Sequence, residues 1–332
     1  MSGPTWPSCW PTSSAAAASP DPGPRGPGVA TALPAWHADL VIPLVVAQNH
    51  VLVRIVPGPT VTVPVAAAAG LVLVADVVAA ETVPPFDNTA MDGFAVRAGD
   101  TANAPARLTV IGTVAAGEVG DRALAAGEAM RIMTGAPMPE GADAVVMVER
   151  TRFDEAAGVV DVEITVPPGN HVRRAGEDVV PGDRLFTAGT CLRAGHLGVL
   201  TSVGVDSVSV VRRPVVGVIS TGDELVDDGR PLRRGEIRDS NRRALLTLLA
   251  ESGFEAVDLG LARDDEAAIE AVVRAGVARC DAILSSGGVS MGAFDYVKVV
   301  LDRIGEMRWM QVAIKPAKPF AFGLVDGVPV FG

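Results

Sequence analysis

From residue 214 to the end of the chain, apolar runs alternate with helical spacings more regularly than anywhere upstream. Residues 215–220, 254–260, 281–286 and 307–313 are short apolar runs without helical periodicity, and each reads as a buried strand. Between them, residues 241–252 place Ala244, Leu245, Leu248 and Leu249 on one face of a helix. Residues 265–279 form a second helix that buries Ile269, Val272, Val273 and Val277. A third follows the glycine turn at 285–290, with Phe294, Val297, Leu301 and Ile304 on one side. Strand and helix in alternation, joined by short connections, predict a parallel sheet with helices on both faces.

Upstream the pattern changes. The runs 108–114, 129–133 and 144–148 and a hairpin about 155–158 predict a small β domain, residues 87–167. It is expected to interrupt a linker domain whose halves are 51–86 and 168–212. In those halves, 66–69 suits a short helix ended by Gly70, 71–78 a strand, 192–203 a helix and 207–211 a strand. Residues 39–63 are β-branched and broken by Pro43, Pro57 and Pro59, so helix and strand stay undecided. Residues 1–36 are rich in Pro, Ala, Ser and Gly, and their first charged side chain is Asp21. They predict a disordered leader or an upstream extension, not a signal peptide, and residues 1–50 as a whole are assigned no function. The last unit is 213–332.

The totals narrow the chemistry. A chain of 332 residues with 48% hydrophobic and 20% charged residues is globular, with room for two or three domains. A net charge of −11 argues against nucleic-acid binding, so an anionic ligand must meet local positive groups. Cys9, Cys191 and Cys280 have no metal-ligand spacing and suit a reducing, cytoplasmic compartment. No run is long enough to span a membrane.

Ligands of parallel α/β sheets bind beyond the carboxyl ends of the strands. Two loops leave those ends with suitable chemistry. Thr221, Gly222, Asp223 and Glu224 offer carboxylates for Mg²⁺. Ser286, Gly287, Gly288 and Ser290 offer bare backbone N–H groups for phosphate at a helix N-terminus. Asp295 follows in the first turn, where a carboxylate caps the helix or joins Glu224 as a metal ligand. Then come Lys315 and Lys318, each followed by a proline, in a chain whose 28 basic side chains include only three lysines. Their plain reading is two solvated charges at a proline turn. The favoured one is a site that needs compact ammonium groups, each stiffened by the next proline. The polar loops at 84–97 and 134–141 carry function or are ordinary turns. Arg173 and Arg174, near Glu177 and Asp178, read as a surface ion-pair cluster.

FDNTAMDGFAVR, RIMTGAPMPEGADAVVMVE, RRAGED, STGDEL, SSGGVSMG with AFDY, and IKPAKPFAFG stand in this order between residues 86 and 323. Together they resemble the successive motifs of the molybdopterin molybdenumtransferase family, that of MoeA and the gephyrin E domain. The resemblance runs from about Val63 to Gly332. It implies a linker domain, a β domain, a MoaB/Mog-like molybdopterin-binding α/β domain and a C-terminal β domain. It also implies an activity in molybdenum cofactor biosynthesis: molybdate enters the dithiolene of adenylylated molybdopterin, with Mg²⁺-dependent release of AMP. Carried over motif by motif, Asp92, Thr134 and Asp178 belong to the catalytic set from the first domains. Glu224, Asp295, Lys315 and Lys318 belong to the α/β domain. The family further implies a homodimer and a molybdopterin adenylyltransferase as partner.

Two departures stand out. The Pro- and Val-rich 39–59 replaces a Glu-rich N-terminal helix. The chain also stops at Gly332, where the family continues into a Leu-Pro-Gly-Asn-Pro loop, a further helix and the last domain. The expectation is therefore a C-terminally truncated member that binds ligand weakly and does not turn over. A non-catalytic remnant or scaffold that binds molybdopterin is the alternative. An adenylyltransferase is a second, disfavoured by the motifs of Asp92 and Thr134.

Overall fold

The computed structural model describes residues 41–287, 296–315 and 318–332. Residues 1–40 of the leader, Gly288, Ser290, Phe294 and Asp295 lie outside them. The chain divides into two compact units. One takes residues 63–69 and 73–208; the other takes the described part of 1–62, residues 70–72 and 209–332.

The described residues begin with β1 (Val41–Ile42) and helix α1 (Leu44–Leu52). Of the strands that follow, six form one sheet: β2 (Gly93–Val96), β3 (Ala106–Val114), β4 (Glu128–Ile132), β5 (Ala144–Met147), β6 (Thr151–Asp154) and β7 (Val159–Val162). Helix α2 (Ala194–Ser202) comes next. After it run β8 (Val215–Thr221), the short β9 (Leu225–Val226) and β10 (Ile237–Arg238), α3 (Ser240–Glu251) and β11 (Glu255–Ala262). The chain closes with α4 (Glu266–Val277), β12 (Ala282–Ser286), α5 (Tyr296–Ile304), β13 (Glu306–Val312), β14 (Pro319–Val325) and β15 (Val328–Phe331).

In the first unit the six strands make one sheet in the order β5-β2-β4-β3-β7-β6. Phe94, Val96, Val146 and Val160 pack on one face, and Ala95, Met130, Ile132 and Val145 on the other. Every residue of β2 is buried, so its sequence lacks the alternation of a one-sided strand. The hairpin expected about 155–158 is β6–β7. The strand expected at 71–78 is reduced to Val77–Val78, because the chain bends at Val74 and Ala75, just before Asp76, whose carboxylate accepts from the Ala188 N–H at 2.8 Å. The helix expected at 66–69 is a single 3-10 turn, Val65–Ala67.

The α/β unit carries a seven-stranded sheet, β1-β13-β14-β15-β12-β8-β11. Pairings are parallel except β13–β14 and β14–β15, so the all-parallel expectation needs one correction: β14 runs against its neighbours. The cause is local. Asp326 and Gly327 both take positive φ (49° and 82°), the geometry of a tight hairpin turn that returns the chain without a crossover helix. Ile269 and Val273 of α4 and Val300 and Leu301 of α5 bury themselves on Ile219, Ile283 and Val330 of the sheet. Helix α3 lies against β8 and β11, but the expected face is split: Leu245 and Leu249 are half-buried, while Ala244 and Leu248 are exposed. Leu248 is 58% exposed, and the residue turned inward is Arg242.

The undecided stretch 39–63 holds β1, which extends the sheet beside β13, then α1, then a strand at Thr60–Pro64. His50 of α1 is 5% exposed, with its ring edge-on to Phe322. Its Nδ1 lies 3.0 Å from Arg54 Nη1 and 3.3 Å from Arg308 Nη1, so it accepts and the ring is neutral. Burial first, then the two guanidinium groups, lower its pKa from 6.5 to about 4. An unfolded chain protonates this ring below about pH 6.5, whereas the folded one resists until about pH 4. The unit is therefore expected to lose about 2–3 kcal/mol as pH falls through that window. Urea midpoints at pH 7 and 4.5 measure it. His50→Gln, which keeps an acceptor that does not titrate, should flatten the dependence; an unchanged slope contradicts it.

Candidate functional site

Because β1, β13, β15, β12, β8 and β11 all point the same way, their carboxyl ends share one edge of the sheet. The expected loops emerge there. Thr221 ends β8 and is buried, while Asp223 and Glu224 beyond it are exposed. Ser286 ends β12, beside β8 in register, with Ser220 opposite Ser286. Gly287 follows with φ +104°, and a Cβ there would sit 2.9 Å from the Thr221 carbonyl oxygen and 3.1 Å from its Oγ1. Only a glycine lets these two loops touch. Gly222 is held to glycine by its φ of +144° and not by space, since the Glu224 Oε2 that lies 2.5 Å from where a Cβ would stand is the exposed end of a flexible side chain. The Glu224 carboxylate thus folds back over the Gly222 backbone.

Lys315 and Lys318 sit where β13 turns into β14, and the turn is closed by a hydrogen bond from Val312 N–H to the Lys318 carbonyl, 2.8 Å. Both are exposed, and neither has an ion-pair partner among the described residues. The third lysine, Lys298, lies over the Trp309 ring, 5.4 Å from its centroid. Four strand spacings separate β13 from β8, so the lysine turn and the Thr221 loop lie about 19 Å apart along the edge. The edge therefore offers cationic groups toward one end and hard carboxylate oxygens toward the other, with bare backbone between.

Among the described residues no group of three or more His, Cys, Asp or Glu side chains is arranged to hold a metal ion. Glu224 and Asp223 are nonetheless oxygen donors of the kind Mg²⁺ takes together with substrate phosphates and water.

In the β-sheet unit, Asp92 and Thr134 come together. Asp92 Oδ1 accepts from the Thr134 N–H and from its hydroxyl, each at 2.7 Å. That backbone N–H first, then the hydroxyl, holds the Asp92 carboxyl below the usual range. Asp178 is paired instead with Arg173, 2.5 Å away, in the surface cluster expected there. The residues just before Asp92 take the structural of the two roles open to this loop. Asp87 holds Arg174 Nη1 at 2.6 Å and the Ala175 N–H at 2.8 Å. The buried Asn88 and Thr89 pair with Val172 and Arg173, and Gly135 donates to the Thr89 carbonyl. One motif thus gathers the Asp92, Thr134 and 172–175 segments.

A second set went unread. Arg242 bonds Asp239 (Nε, 2.7 Å), Asp258 and Asp227, and Asp239 also accepts from the Ser220 hydroxyl at 3.0 Å. The signal available was an N-cap Asp with an Arg three residues on; only the fold brings Asp227 and Asp258 to it.

Comparison with known proteins agrees with this architecture. The family "MoeA N-terminal region (domain I and II)" matches residues 42–204, and "Probable molybdopterin binding domain" matches residues 217–331. The molybdopterin molybdenumtransferase of Haemophilus influenzae is 42% identical over 259 residues, covering 78% of this chain and 64% of that protein. Molybdopterin molybdenumtransferase 2 of Mycobacterium tuberculosis is 40% identical over 280 residues, covering 81% and 69%. The chain spans about two thirds of the length of these relatives. A solved molybdopterin biosynthesis MoeA protein of Pyrococcus horikoshii OT3 has a TM-score of 0.73 at 31% identity, covering 88% of this chain and 74% of its own. On these matches, the chain belongs to the molybdopterin molybdenumtransferase (MoeA) family.

Proposed function

We propose that this chain acts in molybdenum cofactor biosynthesis, inserting molybdate into the dithiolene of adenylylated molybdopterin with release of AMP, in place of the expectation that it does not turn over. The observation that carries the reading is the carboxyl edge of the seven-stranded sheet, where the 221–224 and 286–287 loops touch and the lysine turn shares the edge. In this reading the backbone about Ser286 and Gly287 admits the phosphate groups, next to Thr221 and Gly222. Lys315 and Lys318 draw the anionic substrate and its oxyanion to the edge. Glu224 orients water or, with Asp223, holds Mg²⁺, which when bound would supply positive charge against the diphosphate. Asp92, kept anionic by Thr134, and Asp178 are proposed to act in the same reaction. A homodimer, a molybdopterin adenylyltransferase as supplier of substrate, and division of the 63–208 segment into linker and β domains are part of the proposal.

The test is calorimetric binding of adenylylated molybdopterin together with molybdate-dependent AMP release. Binding with release supports the proposal; absence of release overturns it. Lys315→Arg and Lys318→Arg are each expected to lower AMP release about tenfold, since a planar guanidinium does not replace a compact ammonium on an oxyanion. Rates equal to the unaltered chain would remove the two lysines from the proposal.

A further inference from the structure

The connection from β8 to α3, residues 222–239, is far longer than the roughly two to six residues usual between strand and helix. It carries Asp223 and Glu224, and such a stretch holds a side chain in place only if it is tied down. Part of the tie is backbone: β9 and β10 pair in parallel, Ile237 N–H donates to the Glu224 carbonyl at 2.8 Å, and Asp239 N–H to the Val226 carbonyl at 3.2 Å. Arg230 adds a two-pronged pair to Glu236 at 2.6 and 2.7 Å. The remaining tie is Arg242, whose side chain is 9% exposed. Its three nitrogens reach three carboxylates from three places: Asp227 within the connection, Asp239 at the cap of α3, and Asp258 on β11. Through the Ser220 hydroxyl, Asp239 joins the same group to the end of β8.

We infer that Arg242 is a positioning residue, which fastens the 222–239 connection, and with it Glu224, to the carboxyl end of β8 and the middle of β11. The inference rests on the proposed function only in naming Glu224 as the group positioned. A guanidinium suits the task because its planar fork presents donors in three directions at once, which an ammonium on a flexible stem cannot hold. Burial opposes the charges of both Arg242 and Asp239, and their mutual hydrogen bonds outweigh it: Arg242 is raised and Asp239 lowered. Removing Arg242 would also strand the buried Asp239, so Arg242 is not the variant to judge by.

Asp227 is the cleaner handle, since it is 43% exposed and touches only the connection's end of the network. Asp227→Asn should leave the thermal transition nearly unchanged. It should speed hydrogen exchange at the Ile237 and Asp239 amides about tenfold while those of β12 stay as they were. It should also lower kcat for molybdate-dependent AMP release about tenfold, with KM for adenylylated molybdopterin within about twofold. Asp227→Glu, which restores the charge, should recover both readouts. Unchanged exchange in Asp227→Asn, faster exchange without a fall in kcat, or no recovery in Asp227→Glu would overturn the inference. If the unaltered chain releases no AMP, the functional proposal fails, and exchange alone decides whether Arg242 fastens the connection.

Discussion

Gly93→Ala is expected to destabilise the β-sheet unit by about 3–5 kcal/mol, one of the largest effects open to a single methyl group here. Gly93 opens β2, which is paired on both sides, opposite Ile132 of β4 and Met147 of β5. A Cβ at this position would lie 2.0 Å from the Val146 carbonyl oxygen and 2.9 Å from its carbonyl carbon. Those atoms are backbone, so no rotamer change relieves the clash and the β2–β5 pairing must open. Ladder hydrogen bonds of about 1 kcal/mol each are then lost on top of the steric cost. Phe94 and Ala95, both buried, would be displaced with the strand. The neighbouring residue is Asp92, whose carbonyl accepts from Val148 N–H at 3.2 Å and whose carboxylate holds Thr134. The substitution should therefore loosen the Asp92–Thr134 pair as well. Gly99→Ala is the control, since a Cβ there meets nothing within 4 Å. Urea denaturation of both variants measures the difference; a Gly93→Ala midpoint close to that of Gly99→Ala would contradict the packing described.

Glu224→Gln should lower molybdate-dependent AMP release by about 10²–10³-fold while leaving adenylylated molybdopterin bound. The amide keeps the size and shape of the side chain and removes only its charge. Glu224 is exposed at the carboxyl edge, with its carboxylate beside the Gly222 backbone. A carboxylate in that place can orient water or a hard cation next to a diphosphate. Parallel measurements of turnover and calorimetric affinity separate the two effects. Turnover that survives Glu224→Gln would assign the carboxylate to binding or to solubility alone.

The motif residues divide by what they do in the fold. In FDNTAMDG, Asp87, Asn88 and Thr89 make hydrogen bonds that gather three segments, and the Asp92 carboxylate holds Thr134 at the surface. Sequence spacing marks the whole stretch as special but does not sort scaffold from chemistry. That sorting depends on which backbone groups lie opposite, and those come from residues 40 to 90 positions away.

By itself the sequence determined the strand–helix alternation after residue 214, the β segment with its hairpin at 155–158, and the two loops of residues 221–224 and 286–287. All of these are set by short-range physics: periodicity of burial, and the need for glycine where the backbone turns left-handed or approaches another chain segment. Tertiary structure alone decided the reversed strand β14, the exposure of Leu248 and the burial of Arg242. In α3, Leu245 and Leu249 stand three and seven residues after Arg242, share its inward half of the helix and are half-buried, while Ala244 and Leu248 face outward. The helix is turned so that Arg242 meets three carboxylates, two of them supplied by Asp227 and Asp258 from other segments. A buried guanidinium is costly unless it is fully bonded. Which face of the helix turns inward is therefore settled by partners that no local pattern reveals.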